Sequence, residues 1–459
     1  MARLAAVVLA AGKSTRMKSK CSKVLHPLAG RPVVSYPIDA ARGAGARPVI
    51  VVRGPDQNDL GDYLKGQRVK VALQDKPLGT AHALQSAWRH LRDFSGHVLV
   101  LCGDAPLVRA ETITSFVGEV RQRRAVLGVI TMSMPNPGAY GRVVRDLDGH
   151  LIRVVEAKEA TGEELGIREV NSGIICAECS WLFKTLKRIK SDNIKGEYYL
   201  TDLVGCAIKD GVEAYAHRSD PAEEFLGINT RVDLARAAEI MRRRINEEHM
   251  LNGVGILDHR HTNVDADVQI GEDTTVMPYA FLLGKTKVGA DCVIENGVVL
   301  RNASVGDGAH IKAYSVVEDS LVASEATVGP FARIRPGSKV GRDARVGNFV
   351  ELKKCELKEG AKANHLTYLG DATVGARANV GCGTITCNYD GVRKYQTVIG
   401  EGAFIGSDTQ FIAPVRIGKG ATIGAGSTIT RDVPADALAL SRVDQKVVKG
   451  WTARRKKKR

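Results

Sequence analysis

A short loop near the start of the chain combines an apolar run, a glycine and a cluster of cations. Residues 9–30 read LAAGKSTRMKSKCSKVLHPLAG. Gly12 lets a backbone pass close to a ligand, and Arg16 and Lys23 place positive charge over the same loop. Both the Walker A pattern and the dinucleotide-binding pattern G-x-G-x-x-G are missing from it. On residue types alone, the stretch fits an anion-binding loop and a plain surface turn about equally well.

A second set of chemical side chains lies in the C-terminal third, where it interrupts a repeating pattern. These residues are Arg333, Arg335, Lys353, His365, Tyr368, Asn388, Tyr389 and Lys394. A neutral imidazole can accept a proton near pH 7, and the cations suit a phosphate-bearing acceptor. An isolated histidine is more often structural than catalytic. The neighbouring cations are what make His365 a candidate general base.

Up to residue 228 the sequence alternates apolar strands with amphipathic helices. LAAVVLAAG, ARPVIVVRG, HVLVLCGDAPL and AVLGVITMSM are short apolar runs, and AHALQSAWRHL and AETITSFVGEVRQRR have a helical period. This alternation predicts an α/β domain over 1–228, with a doubly wound, mostly parallel, Rossmann-like sheet. Ligands bind beyond the carboxyl ends of such strands. The loop at Gly12 and the turn of Cys102, Gly103 and Asp104 both fall there.

The remainder of the chain follows a different period. Residues 229–251 contain neither glycine nor proline and predict a helical linker, with Thr230 and Asp233 as a capping box. Over 252–437, six-residue units such as IGEDTT, VGRDAR and IGAGST recur. Such hexapeptides predict a parallel β-helix, in which sequence that breaks the repeat maps to loops on a binding face. Residues 438–459 form a C-terminal segment with a basic tail.

Composition restricts the class of protein. The 459 residues carry a formal net charge of +15, with 44% hydrophobic and 25% charged residues, which suffices for a buried core. No stretch approaches the ~20 apolar residues of a membrane span. The runs Arg242–Arg244 and the final RRKKKR are typical of solvated ends. The alternatives are attraction of anionic small molecules and nucleic-acid binding, and the second is weakened because the cations are not interleaved with aromatic residues. We therefore predict no membrane insertion and no nucleic-acid partner.

The nine cysteines form no evident disulfide or zinc framework. Cys176 and Cys179 make the only C-x-x-C pair, and a zinc site would require a second pair or nearby histidines. Cysteines used as small apolar residues indicate a reducing compartment. The opening apolar run could belong to a secretion signal, but it is short, and a buried strand ending in a glycine turn explains it better. We predict a cytoplasmic protein.

Taken in order, the segments of the first domain resemble the sugar-nucleotide pyrophosphorylase family. LAAGKSTRMKSKCSKVL resembles its phosphate-binding signature, with Ser14 and Ser22 where glycine and proline are usual. LQDKPLGTAHAL, LCGDAPL, AYGRVV, VVEAKEAT, EVNSGI and GINTR resemble further segments, and GEYYLTD (196–202) resembles the N-acetylglucosamine branch. In that family a sugar 1-phosphate attacks the α-phosphorus of UTP and pyrophosphate leaves.

The resemblance implies roles for individual residues of this domain. Asp104 and Asn229 would bind Mg²⁺, which prefers hard oxygen ligands. Arg16 and Lys23 would stabilise charge on the triphosphate. Gln74 and the turn of Gly79 and Thr80 would contact the uracil base, and Gly141, Glu156 and Asn171 would contact the sugar. The residues implied to bind UTP or the sugar nucleotide are Leu9, Ala10, Ala11, Gly12, Lys23, Gln74, Gly79, Thr80, Cys102, Gly103, Asp104, Gly141, Glu156, Asn171 and Asn229.

The second set of residues extends the resemblance from Leu4 to Trp451. HLTYLGDATVGARANVGCGTITCNYDG resembles the acetyltransferase half of a bacterial bifunctional family that makes UDP-N-acetylglucosamine, a precursor of peptidoglycan and lipopolysaccharide. Acetyl-CoA would acetylate glucosamine 1-phosphate with His365 as general base, and UTP would then uridylylate the N-acetylglucosamine 1-phosphate. The residues implied to bind the sugar phosphate or acetyl-CoA are Arg335, Lys353, Tyr368, Asn379, Cys382 (where alanine is usual), Asn388, Tyr389, Lys394, Ser407, Ala425 and Arg442.

Proteins of this hexapeptide-repeat class form left-handed coils and commonly assemble as homotrimers with acetyl sites between subunits. The resemblance to the class implies both features, and the six-residue period by itself does not. Three alternatives remain open. A pyrophosphorylase with a purely structural or regulatory β-helix would not need His365, Tyr368 and Asn388. A basic scaffold for nucleic acid would not need Asp104 and Asn229. A carbonic-anhydrase-like site needs three converging histidines, which the repeats place poorly.

Overall fold

The computed structural model describes residues 3–12 and 14–456 of the chain. The chain divides into two compact units, Met1–Met241 and Arg242–Arg459, and the division falls inside the segment predicted as a helical linker. Residues 457–459 of the predicted basic tail lie outside the described residues. Among the helices that the structure describes, none combines the length and apolar character needed to cross a membrane.

The first unit is a twisted sheet covered by helices. Its strands are β1 (Leu4–Leu9), β2 (Pro27–Leu28), β3 (Arg31–Pro32), β4 (Val49–Arg53), β5 (Lys70–Leu73), β6 (His97–Cys102), β7 (Leu127–Ser133), β8 (Arg142–Arg145), β9 (Leu151–Val155), β10 (Glu169–Glu178) and β11 (Ala214–Arg218). Its α-helices are α1 (Ser35–Gly43), α2 (Asn58–Lys65), α3 (Thr80–Ser86), α4 (Ala110–Gln122), α5 (Gly162–Leu165), α6 (Cys179–Leu186) and α7 (Asp202–Lys209). Short 3₁₀ turns span Thr15–Met17, Lys23–Leu25, Trp88–His90 and Ala222–Phe225.

The sheet has the strand order β11-β7-β10-β6-β1-β4-β5, with the β8-β9 hairpin attached to β10. Strands β6, β1, β4 and β5 are parallel, as are β7 and β11, whereas β10 runs antiparallel to both of its neighbours. The predicted doubly wound α/β fold is confirmed. Along β1, Ala6 and Val8 pack into one layer and Ala5 and Val7 into the other. Burial on both faces explains why the strand is a continuous apolar run.

A long helix, α8 (Arg231–Leu251), follows the first unit's last turn. It begins as the sequence predicts, because Thr230 N donates to Asp233 Oδ2 (2.8 Å) and Asp233 N donates to Thr230 Oγ1 (3.1 Å). This reciprocal pair is a capping box. Near the other end, Asn246 Nδ2 donates to the carbonyls of His259 and Thr262 at 2.8 and 2.9 Å, which fixes the helix to the coil that follows it.

The second unit is a left-handed β-helix made of three parallel sheets. The first sheet contains Gly255–Ile256, Thr275–Val276, Val293–Ile294, His310–Ile311, Thr327–Val328, Arg345–Asn348, Lys362–His365, Asn379–Val380, Phe404–Ile405, Thr422–Ile423 and Leu438–Ala439. The second contains Asn263–Val264, Phe281–Leu283, Val299–Arg301, Val316–Glu318, Arg333–Ile334, Glu351–Lys353, Tyr368–Gly370, Ile385–Cys387, Gln410–Ile412 and Thr428–Ile429. The third contains Gln269–Ile270, Lys287–Val288, Ser304–Val305, Leu321–Val322, Lys339–Val340, Glu356–Leu357, Ala372–Val374, Thr397–Ile399 and Val415–Ile417. A short helix, α9 (Trp451–Lys456), ends the described chain.

Successive coils of the β-helix place like residues above one another. Ile294 pairs with Ile311 in the next coil, 17 residues on, and nearly all such aliphatic positions are buried, Ile270 being partly buried. One coil is longer, because Val380 pairs with Ile405 across 25 residues that include the excursion around Asn388. The hexads therefore predict the coils, and their interruption predicts a protruding loop at one coil.

Candidate functional site

The loop after β1 forms one wall of a cavity of about 620 Å³ in the first unit. Leu9, Ala10, Ala11 and Gly12 line it together with Gln74, Thr80 and Asp104. A Cβ built on Gly12 would have only Lys23 Cε within 4 Å, at 3.9 Å. The space beside Gly12 is therefore left open by the chain itself, as expected where a backbone must approach a ligand.

Four residues predicted to handle phosphate and metal converge beside this loop. Lys23 Nζ forms an ion pair with Asp104 and donates to Asn229 Oδ1 at 3.0 Å. Arg16 Nη2 donates to the same Asn229 oxygen at 2.9 Å. One carboxylate and one amide oxygen thus meet around a positive charge, and hard oxygens of this kind are the ligands Mg²⁺ prefers. The Lys23 ammonium lies between the Asp104 carboxylate and the Asn229 amide oxygen, at the position where these oxygens could bind a metal cation.

The backbone around Asp104 is tightly fixed. Gly103 N donates to Leu9 O at 2.8 Å, and a Cβ on Gly103 would lie 2.9 Å from that same oxygen. Ile228 N donates to Asp104 O at 2.8 Å, which brings the neighbouring Asn229 to the turn. Burial and the nearby Asp104 raise the pKa of the Cys102 thiol to about 12. Cys102 is therefore an uncharged wall of the site.

Gln74, Gly79 and Thr80 form a second wall of the same cavity. Gln74 is buried, and its Nε2 donates to Gly79 O at 3.0 Å. Gly79 has φ 104°, and a Cβ there would lie 2.5 Å from Tyr198 O. Leu200 N donates to Thr80 Oγ1 at 3.0 Å. The segment 196–202, which the sequence analysis singled out, is thus packed directly on the segment predicted to bind the base.

The three residues predicted to contact the sugar lie close together, and of these Glu156 lines the cavity. Asn171 N donates to Gly141 O at 2.9 Å, and a Cβ on Gly141 would lie 3.8 Å from Glu156 Oε1. Thr201 Oγ1 donates to Glu156 Oε1 at 3.2 Å, and burial raises the pKa of Glu156. Six further lining residues were not singled out individually by the sequence, namely Val24, Pro77, Ala83, Lys195, Glu197 and Tyr199.

In the β-helix, His365 ends a strand of the first sheet and is paired with Asn348 of the preceding coil. His365 Nδ1 lies 3.0 Å from Asn348 Oδ1. Because an amide oxygen only accepts, the ring proton belongs on Nδ1, and Nε2 keeps its lone pair. An exposed imidazole held in this tautomer can act as a base through Nε2.

The residues predicted to meet acetyl-CoA stand in the coils that follow His365. The carbonyls of Cys382, Ser407 and Ala425 accept in turn from Asp408 N (2.7 Å), Gly426 N (2.8 Å) and Arg442 Nη1 (2.9 Å). The glycine before each of the first two is required, since a Cβ on Gly381 would lie 2.6 Å from Ser407 N. Cys382, Ser407, Ala425 and Arg442 therefore form one column beside His365, which we call the donor column.

A cluster of cations lies on the next sheet, around the corner from His365. Arg335 Nη1 donates to Glu351 Oε1 at 2.8 Å, and Lys353 Nζ lies 3.6 Å from Asp371 Oδ2. The neighbouring Lys353 side chain lowers the pKa of Lys394. Positive charges on two neighbouring lysines repel each other, so a doubly charged anion such as a phosphate is suited to bind between them.

Tyr368 and Asn388 complete this cluster. We call the five residues Arg335, Lys353, Tyr368, Asn388 and Lys394 the cation cluster. Asn388 Nδ2 donates to Asp371 Oδ2 at 2.5 Å. Tyr389 sits on the excursion, bridged to Lys394 through the backbone, and is 58% exposed.

Apart from His365 itself and Tyr389 on the excursion, the predicted site residue of the β-helix that lies outside both groups is Asn379. It begins its strand, between Lys362 and Phe404 of the adjoining coils. Cys382 of the donor column follows three residues later, which corresponds to roughly 10 Å of extended chain. Within one chain, Asn379 is therefore not brought next to His365.

Some residues that shape the two sites were missed by the sequence analysis. Asn348 could have been found by counting one coil of 17 residues back from His365. Glu351 and Asp371 pair with Arg335 and Lys353 of the cation cluster. They were missed because the candidates for binding phosphate were positively charged residues, and not the carboxylates that hold them. Gln57 and Asp59, which contact the loop at Gly12 and Ser22, belong to no motif.

Comparison with known proteins finds different families for the two parts of the chain, in agreement with the two different folds. Residues 6–158 match the MobA-like NTP transferase domain, 260–355 the GMPPB C-terminal domain and 396–431 the bacterial transferase hexapeptide model of six repeats. Three relatives are called bifunctional protein GlmU. That of Pelobacter propionicus is 48% identical over the full length of both chains. Those of Geobacter sulfurreducens and Geotalea uraniireducens are 49% and 47% identical, each covering 99% of this chain and 100% of the relative.

Proposed function

The chain belongs to the bifunctional GlmU family, and we propose which of its residues carry each of the two reactions. It is a nucleotidyltransferase and an N-acetyltransferase of UDP-N-acetylglucosamine synthesis. The first unit contains the NTP transferase domain, and the second contains the hexapeptide repeats. We assign uridylyl transfer from UTP to the cavity at Gly12 and acetyl transfer from acetyl-CoA to the coils around His365.

The meeting of Arg16, Lys23, Asp104 and Asn229 supports the first assignment. An oxygen of N-acetylglucosamine 1-phosphate attacks the α-phosphorus of UTP, a new O–P bond forms, and the bond to pyrophosphate breaks. Little covalent chemistry falls to the protein, so positioning and charge neutralisation dominate. Arg16 and Lys23 hold the phosphates, and Gln74 with Gly79 borders the space for the base. Glu156 borders the cavity and would contact the sugar, and Asn171 is held beside Gly141, close to Glu156.

Asp104 and Asn229 are the residues that would hold Mg²⁺. Their donor set is one carboxylate and one amide oxygen. This set fits Mg²⁺, which typically keeps several water ligands and takes the remaining oxygens from the phosphates of the substrate. When bound, Mg²⁺ supplies positive charge that offsets the charge of the phosphates. Lys23 has to leave Asp104 for this, and the triphosphate is the anion that it would then meet.

The donor column beside His365 supports the second assignment. His365 Nε2 takes a proton from the amino group of glucosamine 1-phosphate, and the nitrogen attacks the thioester carbonyl of acetyl-CoA. The C–N bond forms, the C–S bond breaks, and coenzyme A leaves as the thiol with the proton that His365 took up. Asn348 keeps the proton on Nδ1, so that Nε2 is free to act. The cation cluster binds the phosphate of the acceptor.

We also propose that the chain acts as a homotrimer. Tyr314, Phe331 and Phe349 stack ring on ring along one corner of the β-helix, with centroids 5.2 and 5.5 Å apart. These three residues, which we call the aromatic ridge, are 49–56% exposed. A contiguous apolar surface of this kind is typical of an interface between subunits. A neighbouring copy would also supply Asn379 to a site from which the same chain's Asn379 is absent.

Location follows from the substrates, and we propose that the enzyme works in the cytoplasm, where UTP and acetyl-CoA are made. The product would then serve peptidoglycan and lipopolysaccharide precursor synthesis there.

One reaction mixture tests both assignments. The enzyme is incubated with glucosamine 1-phosphate, acetyl-CoA, UTP and Mg²⁺, and mass spectrometry identifies the products. The parent chain should yield UDP-N-acetylglucosamine. His365→Ala should yield it only when N-acetylglucosamine 1-phosphate is supplied, and Asp104→Ala should stop at that intermediate. Equal loss of both activities in either variant would contradict the division of labour, and an unchanged Mg²⁺ titration in Asp104→Ala would exclude Asp104 as a ligand.

A further inference from the structure

Ser22, the residue directly before Lys23, is held from two sides by the start of helix α2. Ser22 N donates to Asp59 Oδ2 at 2.9 Å, and Gln57 Nε2 donates to Ser22 Oγ at 3.3 Å. Ser22 is only 8% exposed, so water competes little for these bonds. The bond to the carboxylate is charge-assisted and is the stronger of the two. The backbone from which the Lys23 side chain departs is thereby fixed.

Gln57 also contacts the loop that precedes Lys23. Its Nε2 lies 3.0 Å from Ala10 O and 3.3 Å from Gly12 O. Its Oε1 accepts from Gly54 N at 2.7 Å. One amide group therefore joins the loop after β4, the loop after β1 and Ser22. The carbonyls of Ala10 and Gly12 are drawn toward Gln57, which fixes the peptide groups that line the cavity.

We infer that Asp59 and Gln57 are positioning residues for uridylyl transfer, acting through Ser22, Lys23 and the loop at Gly12. They border an adjoining cavity of about 460 Å³ that Gly12 also lines, whereas Lys23 borders the cavity of about 620 Å³ assigned to the substrates. Catalysis by positioning is sensitive to small displacements of the groups that hold phosphate. The inference rests on the proposed function in one respect, namely that Lys23 binds the triphosphate.

The backbone of Ser22 offers a way to remove the Asp59 bond without changing the conformation. Ser22 has φ −55° and ψ 136°, which lies within the range that proline imposes. Proline has no N–H, so Ser22→Pro removes the donor to Asp59 while its ring restricts the same φ. If Asp59 acts by holding the Ser22 backbone, then it becomes dispensable once proline does so.

A double-mutant cycle therefore tests Asp59. Asp59→Ala in the parent chain should lower kcat/KM for UTP about tenfold, the loss expected for one charge-assisted hydrogen bond. In the Ser22→Pro chain, the same Asp59→Ala change should cost less than about twofold. The KM for N-acetylglucosamine 1-phosphate should stay constant. An equal loss in both backgrounds would show that Asp59 only stabilises helix α2, and no loss in the parent chain would also overturn the inference.

Controls within the same chain separate positioning from folding. Asp62→Ala removes an exposed carboxylate of the same helix, which pairs only with Lys65 among the described ion pairs, and should leave both activities unchanged. Because the chain divides into two compact units, thermal unfolding followed by circular dichroism on every variant reports whether the first unit is folded, and acetyl transfer reports the second unit. Should Ser22→Pro fail to fold, Gln57→Leu supplies the second measurement, because it keeps side-chain size but loses every bond of the amide. A raised UTP KM with normal acetyl transfer supports the inference, and an unchanged UTP KM overturns it.

Lys23→Ala distinguishes failure of this inference from failure of the proposed function. If Lys23→Ala abolishes uridylyl transfer while Asp59→Ala and Gln57→Leu do not lower it, Lys23 keeps its role and the positioning residues are wrong. If Lys23→Ala leaves uridylyl transfer intact, the assignment of Lys23 itself is wrong.

Discussion

Ser14 shows how one residue can depart from a family pattern without loss of the site. It has φ 56°, a left-handed conformation in which glycine is favoured over other residues. The serine side chain offsets part of that cost, because Lys23 N donates to Ser14 Oγ at 3.0 Å. The hydroxyl thus gives Lys23 a partner that glycine could not provide. The conformation explains why glycine is usual there, and the hydrogen bond explains why serine is tolerated.

Gly370 gives a sharper residue-scale prediction, because two side chains of the cation cluster lie against it. A Cβ on Gly370 would lie 2.4 Å from the Tyr368 hydroxyl oxygen and 2.8 Å from Asn388 Nδ2. Gly370→Ala should push both groups away from the acceptor phosphate and raise the KM for glucosamine 1-phosphate about tenfold. Steady-state acetyl-transfer kinetics measure this, with uridylyl transfer as the internal control. A normal KM would mean that Tyr368 and Asn388 do not bind the acceptor.

Asp202 supports a prediction about pH. Burial, and then the nearby carboxylates Glu159 and Glu156, raise the pKa of Asp202 to about 6. An unfolded aspartate titrates near ~4, so between these pH values the unfolded chain releases a proton that the folded chain keeps. Unfolding is therefore favoured as pH rises through this window, and the penalty is complete above it. Asp202→Asn should raise Tm at pH 7.5 and leave it unchanged at pH 4. An equal shift at both values would contradict this.

At the scale of elements, the sequence predicts the coils of the β-helix better than it predicts which residues of adjacent coils lie side by side. The hexads indicate that aliphatic residues fill the β-helix, and the ladder through Ile294 and Ile311 confirms that. They do not state the coil length, and only the coil length tells that Asn348 lies next to His365. The capping box of α8 was predictable because both partners are local. Asp59 and Ser22 are separated by 37 residues, and no local pattern joins them.

Gly381 tests whether the donor column depends on close packing of coils. A Cβ there would lie 2.6 Å from Ser407 N, so Gly381→Ala should separate two coils and destabilise the β-helix by about 1–3 kcal/mol. Acetyl transfer should fall while uridylyl transfer persists. Gly255→Ala is a matched control, since a Cβ at Gly255 has no neighbour closer than 3.6 Å. Chemical unfolding of the second unit measures the difference, and equal stability of the two variants would contradict the packing argument.

At the scale of the molecule, a family signature can predict that residues far apart in the sequence meet, but it does not tell which copy of the chain provides each residue. Arg16, Lys23, Asp104 and Asn229 are dispersed along 214 residues, and only their order within a family signature indicated that they belong together. The parallel sheet then explains the meeting, because loops from the carboxyl ends of its strands share one edge. Asn379 shows the opposite case. The resemblance implies that it binds the sugar phosphate, but within one chain it lies on a different sheet from Lys353 and Tyr368. No motif encodes which copy provides a residue.

The aromatic ridge allows the oligomeric state to be tested together with its role in acetyl transfer. Phe349 lies one residue after Asn348, which orients His365, and its ring packs on Phe331. Phe349→Glu places a charge on a surface that we expect to be buried between copies, where an unpaired charge costs several kcal/mol. Light scattering should show the mass falling from three chains to one. Acetyl transfer should be lost with it, because the neighbour's Asn379 leaves, while uridylyl transfer should remain.

Leu147→Glu is the matched control, because Leu147 is a fully exposed apolar residue on the β8-β9 hairpin of the first unit. It should change neither the mass nor either activity. If Phe349→Glu keeps the mass of three chains, the ridge is not the interface. If it becomes a monomer that still transfers acetyl groups, the site is complete within one chain, and Asn379 then has no part in binding the sugar phosphate. Only joint loss of mass and acetyl transfer supports a site assembled by neighbouring copies.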